Sequence, residues 1–171
     1  YHLILLAKNN TGYKNLMRLS SIAYTEGFYY KPRIDMEVLE KYSEGIIASS
    51  ACIAGEIPVN IIRGRNKEAR ELAGKYREIF GKENFFLELQ YHGIKEQEIA
   101  NKELIRMAAE MDIPLIATND AHYVTRDDAY SHEVLLCVQT GKTMNEENRM
   151  RFSTNEFYLK TLDEMRMNFA D

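Results

Sequence analysis

The first residues whose types and spacing could do chemistry are Asp120 and His122, in the stretch PLIATNDAHYV (114–124). They follow a short apolar run that is typical of a buried parallel strand. Side chains alternate along an extended backbone, so positions 120 and 122 face the same side. A carboxylate and an imidazole are both common ligands of transition metal ions. The spacing therefore predicts half of a metal site, although a loop cap explains an isolated Asp-x-His equally well.

Further candidate ligands lie near the ends of other apolar runs. Cys52 follows IIASS, Glu88 lies within FFLELQ, and His92 comes two residues after that run. A thiolate together with imidazole and carboxylate suits zinc, whereas carboxylate-rich sites favour manganese or magnesium. Each residue has a structural alternative, because Cys52 also fits a small buried side chain and His92 also fits a turn. His2 comes at the start of an apolar run. Functional residues are expected at the C-terminal ends of parallel strands, so this position does not predict a ligand.

A second kind of chemistry is indicated by the stretch GFYYKPR, in which Tyr29 and Tyr30 stand beside Lys31 and Arg33. Aromatic rings stack on bases and cations bind phosphates, so this pattern is found in surfaces that bind single-stranded nucleic acid. A tyrosine-rich loop packed on the domain surface is the structural alternative. The sequence leaves both interpretations open.

The elements that must position these residues alternate along the chain. Apolar runs predict strands at 2–7, 45–50, 85–90 and 114–118, and the intervening segments have the spacing of amphipathic helices. Strands that alternate with helices predict an α/β fold with a parallel sheet. In open sheets and barrels alike, functional residues gather at the C-terminal ends of such strands. Four strands are too few to close a barrel.

Two remaining candidates fall on the helix predicted at 126–139. His132 and Cys137 lie within its amphipathic pattern, so we expect packing or surface roles for them rather than roles in a site. No residue of the chain is assigned a catalytic role from its sequence.

Composition excludes several classes of protein. The chain has 171 residues, 45% hydrophobic and 28% charged, which is typical of a globular domain rather than a disordered segment. No apolar run approaches the ~20 residues of a membrane helix, and two cysteines are too few for a disulfide framework. We therefore expect a cytoplasmic protein with no membrane partner. The net charge of −4 argues against the chain as a whole being a strong nucleic-acid binder.

Four sequence blocks, in order, resemble the PHP (polymerase and histidinol phosphatase) domain of bacterial DNA polymerase III alpha subunits. The blocks are HLILLAKNNTGYKNLMRLSSIAYTEGFYYKPRID, GIIASSACIAGEIP, IPLIATNDAHYVTRDDAYSHEVLLCVQTGKT and RMRFSTNEFYLKTLDEM. The resemblance implies a partial distorted (β/α)7 barrel, with residues 1–150 as its C-terminal portion. Residues 151–171 would then form the connection toward the palm and thumb of the polymerase. An incomplete barrel would leave an apolar sheet edge exposed.

The same resemblance implies a cluster of divalent metal ions, zinc or manganese. On the family's pattern, His2, Cys52, Asp120 and His122 match the later ligands, while His92 would line the site. The family's earlier motifs, a His-x-His pair, a Thr-Asp-His and a glutamate, are not found in the chain. We therefore expect the chain to be a fragment that is inactive on its own.

Family members belong to DNA-directed DNA polymerases, which are magnesium-dependent nucleotidyltransferases, and some PHP domains hydrolyse phosphodiesters from the 3′ end. The resemblance thus implies DNA and other replisome subunits as partners, through the parent protein. Two alternatives remain open. One is a non-catalytic scaffold, in which ligand substitutions change stability but no nuclease rate, and the other is a free-standing phosphoesterase.

Overall fold

One or two helices separate each strand from the next along the chain. A computed structural model describes residues 1–169. The elements, in order, are β1 (Ile4–Ala7), α1 (Asn10–Thr25), α2 (Met36–Lys41), β2 (Ile46–Ser49), α3 (Glu56–Ile62), α4 (Asn66–Phe80), β3 (Phe85–Gln90), α5 (Lys95–Met111), β4 (Leu115–Thr118), α6 (Ala129–Thr140) and α7 (Leu162–Asn168). All four predicted strands are present, each within two residues of its predicted bounds. No helix within residues 1–169 is both long and apolar enough to cross a membrane.

The four strands form one mostly parallel sheet in the order β1-β2-β3-β4. Strands β2 and β3 are parallel, with Ala48 opposite Phe85. Strand β1 is antiparallel to β2, with Ala7 opposite Ile46, so the prediction of parallel strands throughout is wrong here. The chain leaves β1 and returns to β2 at the same end of the sheet, and such a return needs no crossover.

The first turn of helix α1 packs closely against the residues at the start of β2. The Asn9 side chain accepts a hydrogen bond from the Gly12 backbone N–H at 3.0 Å, which caps the helix. The Lys8 N–H donates to the Gly45 carbonyl oxygen at 2.8 Å. A Cβ atom on Gly12 would lie 1.8 Å from that same oxygen, so only glycine permits this close approach.

The residues divide into two compact units, which we describe separately. Unit 1 consists of Tyr1–Glu88 and Lys102–Ile116, and unit 2 consists of Leu89–Asn101 and Ala117–Asp171. The core of unit 1 is made of buried side chains from β2, β3, α3, α4 and the C-terminal part of α5. The largest fully buried ones are Phe85, Ile46, Ile57, Leu87, Leu104 and Met107.

The two outer strands of the sheet carry exposed apolar side chains. These are Ile4 and Leu6 on β1, and Leu115 and Ile116 on β4. The expectation of an exposed apolar edge agrees with this, whereas the prediction that 114–118 is a buried strand is wrong. Within the described residues β4 is the last strand of the sheet, and its apolar side chains are left partly uncovered.

Unit 2 is organised around the residues that follow α6. We call residues 154–160 the strap, because they pack along the loop that follows β4. The His122 N–H donates to the Phe157 carbonyl oxygen at 2.7 Å, and the Leu159 N–H donates to the Tyr123 carbonyl oxygen at 3.1 Å. Phe157 and Tyr158 are both buried. The strap is thus an integral part of unit 2.

Candidate metal centre

His2 and Cys52 lie together in unit 1, with His2 Nδ1 3.6 Å from Cys52 Sγ. The His2 N–H donates to the Ala54 carbonyl oxygen at 3.0 Å, which holds the residue against the loop after β2. The direction of β1 explains this placement. Because β1 is antiparallel to β2, its first residue, Ile4, lies opposite the last residue of β2, so a histidine that precedes β1 reaches the C-terminal end of β2.

The turn that carries Cys52 is unusually tight. Ala51, directly before it, is buried and has a φ of +60°, which costs a non-glycine residue about 1–2 kcal/mol. Farther along the turn, a Cβ atom on Gly55 would lie 2.1 Å from the Ser50 carbonyl oxygen. This conformation leaves Cys52 only partly covered, so its thiol is accessible next to His2.

Asp120 and His122 lie together in unit 2, with His122 Nε2 3.2 Å from Asp120 Oδ1. Both side chains are partly exposed. The rings of Phe152 and Phe157 contact the His122 imidazole edge-on, at centroid distances of 4.7 and 5.7 Å. These contacts limit the rotation of the imidazole and leave its Nε2 atom directed at the carboxylate.

His92 supports the loop that carries Asp120. It is fully buried, and its ring stacks on Phe157 at a centroid distance of 4.6 Å and an angle of 4°. The Gln97 amide nitrogen lies 2.9 Å from His92 Nδ1, and the Asp120 backbone nitrogen lies 3.1 Å from His92 Nε2. The Asp120 N–H is a fixed donor, so a neutral ring accepts its hydrogen bond at Nε2, and burial followed by the charge of Lys160 lowers the pKa of His92. The ring is therefore held uncharged as a hydrogen-bond acceptor.

The strap holds both this loop and His92. The Asn119 side-chain nitrogen donates to the Tyr158 carbonyl oxygen at 2.8 Å, and the Thr154 hydroxyl donates to the His92 carbonyl oxygen at 2.6 Å. Sequence reasoning assigned no site role to any of Asn119, Phe157 and Thr154. They support the loop through backbone carbonyl groups and ring contacts, which have no recognisable pattern in a sequence.

Three other candidates from the sequence occupy structural positions. Glu88 is buried on β3 and accepts a hydrogen bond from the Ser49 hydroxyl. Cys137 is buried in α6. The His132 ring packs 5.5 Å from the His122 ring, and burial together with the nearby His122 lowers the pKa of His132. The aromatic and basic residues at positions 29, 30, 31 and 33 are all exposed in unit 1.

The two donor pairs lie at hydrogen-bond and ion-pair distances, which are also compatible with two neighbouring ligands of a four-coordinate metal ion. Zinc–sulfur and zinc–nitrogen bonds of about 2.3 and 2.05 Å at a tetrahedral angle place the two ligand atoms roughly 3.6 Å apart. The distance between His2 Nδ1 and Cys52 Sγ is 3.6 Å. The corresponding value for a carboxylate oxygen and an imidazole nitrogen is about 3.4 Å, and the pair in unit 2 is separated by 3.2 Å. Within residues 1–169, no three or more His, Cys, Asp or Glu side chains gather into a group that could hold a metal.

Comparison with known proteins gives these pairs a family context. A family profile described as "PHP domain" matches residues 1–92. The chain belongs to the PHP domain family. PHP domains generally use divalent metals, so the family and the chemistry of the donor pairs agree on the class of cofactor.

This PHP domain is also similar to part of several larger proteins. It is 52% identical, over its whole length, to DNA polymerase III subunit alpha of Borreliella burgdorferi. The identity is 49% over 99% of the chain for the Treponema pallidum subunit and 50% over 96% for the Deinococcus radiodurans subunit. The chain spans only 15%, 14% and 12% of these three relatives, respectively.

Proposed function

We propose that this PHP domain is the part of a DNA polymerase III alpha subunit that binds divalent metal ions, zinc or manganese. His2 and Cys52 supply one pair of ligands, and Asp120 and His122 supply the other. The observation that carries the proposal is the match between the 3.6 Å separation of His2 Nδ1 and Cys52 Sγ and the geometry of zinc. The parent protein would be a DNA-directed DNA polymerase that uses magnesium, with DNA and other replisome subunits as partners.

The residues of the chain prepare each pair for this role. Metal binding requires Cys52 as a thiolate and both imidazoles as neutral rings. In unit 2, His92 supports the backbone at Asp120, and Phe157 supports the backbone and ring of His122. When bound, a divalent ion supplies Lewis acidity, which activates water and neutralises charge on a phosphodiester. The reaction class for the parent is therefore phosphodiester hydrolysis, including removal of nucleotides from a 3′ end.

The proposal also extends to the architecture of the parent. We place β1 to β4 in a distorted (β/α)7 barrel, with residues 1–150 as the C-terminal portion of the PHP domain. Residues 151–171 would lead from this domain toward the palm and thumb. The order of the four sequence blocks supports this assignment.

Metal binding to the purified 171-residue chain tests the ligand assignment. The chain is stripped with a chelator and titrated with Co²⁺, whose visible bands report coordination geometry and whose thiolate band reports a cysteine ligand. We expect Cys52→Ser to abolish the thiolate band and Asp120→Asn to weaken binding by tenfold or more. Cys137→Ala is the matched control, because it removes the only other thiol of the chain, and it should leave both signals unchanged. Wild-type binding by both ligand variants would refute the assignment.

A scaffold role within the polymerase is the second candidate. It is favoured by the absence of any potential metal-holding group of three or more side chains within residues 1–169. The two functions are separated by introducing Asp120→Asn into the full-length parent polymerase. A loss of 3′-end hydrolysis with an unchanged melting temperature supports the metal site, whereas lower stability with an unchanged hydrolysis rate supports the scaffold. The names of the relatives favour either role over a free-standing phosphoesterase.

A further inference from the structure

Acidic residues are scarce at the start of the chain, so this segment carries a net positive charge. Positions 1–34 contain five basic residues and one acidic residue, although the whole chain carries a net charge of −4. The other 137 positions contain the remaining 17 basic and 25 acidic residues. The five basic residues are Lys8, Lys14, Arg18, Lys31 and Arg33. A locally basic segment in an acidic chain is an electrostatic feature that attracts a polyanion to one region.

Exposed aromatic rings are concentrated in the same segment. Seven aromatic side chains are exposed within residues 1–169, and six of them fall in the first 30 positions. The six are Tyr1, Tyr13, Tyr24, Phe28, Tyr29 and Tyr30. Large aromatic side chains are normally buried or half-buried, so a group of exposed rings marks an interaction surface.

Three of these rings, including the most exposed one, lie on a loop with a defined shape, residues 27–33, which we call the aromatic loop. Its two ends lie close together, because a Cβ atom on Gly27 would be 1.9 Å from the Arg33 carbonyl oxygen. The Tyr29 N–H donates to the Lys31 carbonyl oxygen at 3.1 Å, and Tyr30 between them has a φ of +59°. This turn leaves Tyr30 84% exposed.

Arg33 orders the loop from within. Its guanidinium group lies over the Tyr29 ring, 4.7 Å from the centroid, and donates a hydrogen bond to the Tyr29 carbonyl oxygen. The Tyr29 and Tyr30 rings meet edge to face at 4.6 Å. Tyr29 nevertheless remains 65% exposed. The loop therefore presents ordered rings beside cations, and these rings stay largely exposed.

We propose that the aromatic loop binds single-stranded DNA, with bases stacked on Phe28, Tyr29 and Tyr30 and phosphates held by Lys31 and Arg33. Two features favour a single strand over other occupants. Stacking on a ring requires an unpaired base, which a duplex does not offer. The adjacent cations suit a phosphate backbone, which carries one negative charge for each nucleotide. This surface shares no residue with the two metal-ligand pairs.

Binding of a fluorescein-labelled oligothymidine to the 171-residue chain, measured by fluorescence anisotropy, tests the proposal. All titrations contain a chelator, so the result is independent of the proposed metal site. We expect binding at low salt that weakens as salt is added, because phosphate contacts release counterions. Tyr30→Ala should weaken binding about fivefold or more through lost stacking. Lys31→Gln should lower the slope of log affinity against log salt by about 1.

Tyr130→Ala is the matched control, because Tyr130 is the one exposed aromatic residue of the described chain that lies outside positions 1–30. We expect it to bind as the unaltered chain does. Circular dichroism of every variant verifies that it is folded. Three outcomes would overturn the proposal: no binding at low salt, equal affinity for a duplex of the same length, or wild-type affinity in both Tyr30→Ala and Lys31→Gln. If a protein partner instead protects the aromatic loop while DNA does not bind, the proposal also fails.

Discussion

Replacing His92 tests whether this buried ring supports the loop that carries Asp120. The ring stacks on Phe157 and lies 2.9 Å from the Gln97 amide nitrogen and 3.1 Å from the Asp120 backbone nitrogen. His92→Ala removes the stack and the acceptor together. His92→Phe retains a somewhat larger aromatic ring and removes both ring nitrogens, including the acceptor, so it is the matched comparison.

The structure sets the size of each effect. A buried donor left without an acceptor costs about 1–3 kcal/mol, and a neutral imidazole accepts one hydrogen bond at a time. His92→Phe should therefore destabilise the protein by about 1–3 kcal/mol. His92→Ala also loses the aromatic contact, about 0.5–1.5 kcal/mol, and leaves a cavity at a fully buried position. We expect a total loss of about 3–5 kcal/mol for this variant.

Two measurements check this reasoning. Urea unfolding gives the loss of stability, and hydrogen exchange at the Asp120 amide reports the local effect, because different parts of a protein can open separately. Both variants should exchange faster at Asp120 than the unaltered chain does. Surface substitutions typically change the stability by less than about 0.5 kcal/mol. A supporting role for His92 would be refuted if both variants lost less stability than this and hydrogen exchange at Asp120 were unchanged.

Three further predictions concern backbone space, strain and protonation. Gly12→Ala should lower the stability by more than about 2 kcal/mol in thermal unfolding, because the new Cβ would lie 1.8 Å from the Gly45 oxygen. Gly74→Ala in α4 should instead raise the stability by about 0.5–1 kcal/mol, because the nearest neighbour of its Cβ would be 3.9 Å away. Similar changes in stability for the two variants would refute the packing argument. Ala51→Gly should raise the free energy of unfolding in urea by up to about 1 kcal/mol, because glycine tolerates the φ of +60° at this position. Ala48→Gly in β2 is the control and should lower the stability. A loss of stability in both variants would count against strain at Ala51. The Tyr158 hydroxyl, followed by the Thr161 backbone N–H and hydroxyl, donates to Glu164, and together they lower the pKa of that carboxyl to about 2. This contribution to stability is complete above pH 4.5 and is lost as the pH falls toward 2. Tyr158→Phe should raise the pKa of Glu164 toward the ordinary range in a carboxyl-carbon NMR titration, and an unchanged pKa would contradict this.

The individual strands and helices could be predicted because the sequence patterns that mark them lie within the elements themselves or directly beside them. Each strand was marked by an apolar run, and α2 is capped by Asp35, whose carboxylate accepts from the Val38 N–H at 2.9 Å. The proximity of Asp120 and His122 is local in the same sense, because residues two apart on extended backbone share a side. Such features depend on neighbours within a few positions of the chain.

The sequence by itself determined the order of strands and helices, the family and the proximity of Asp120 and His122. Only the tertiary structure decided that β1 is antiparallel, and this direction brings His2 to Cys52, 50 positions away. It also decided that His92 supports Asp120 from 28 positions away and that the strap holds His92 through a bond spanning 62 positions. Hydrogen bonds between such distant residues depend on how the elements pack, and the periodicity of a short segment has no information about that packing.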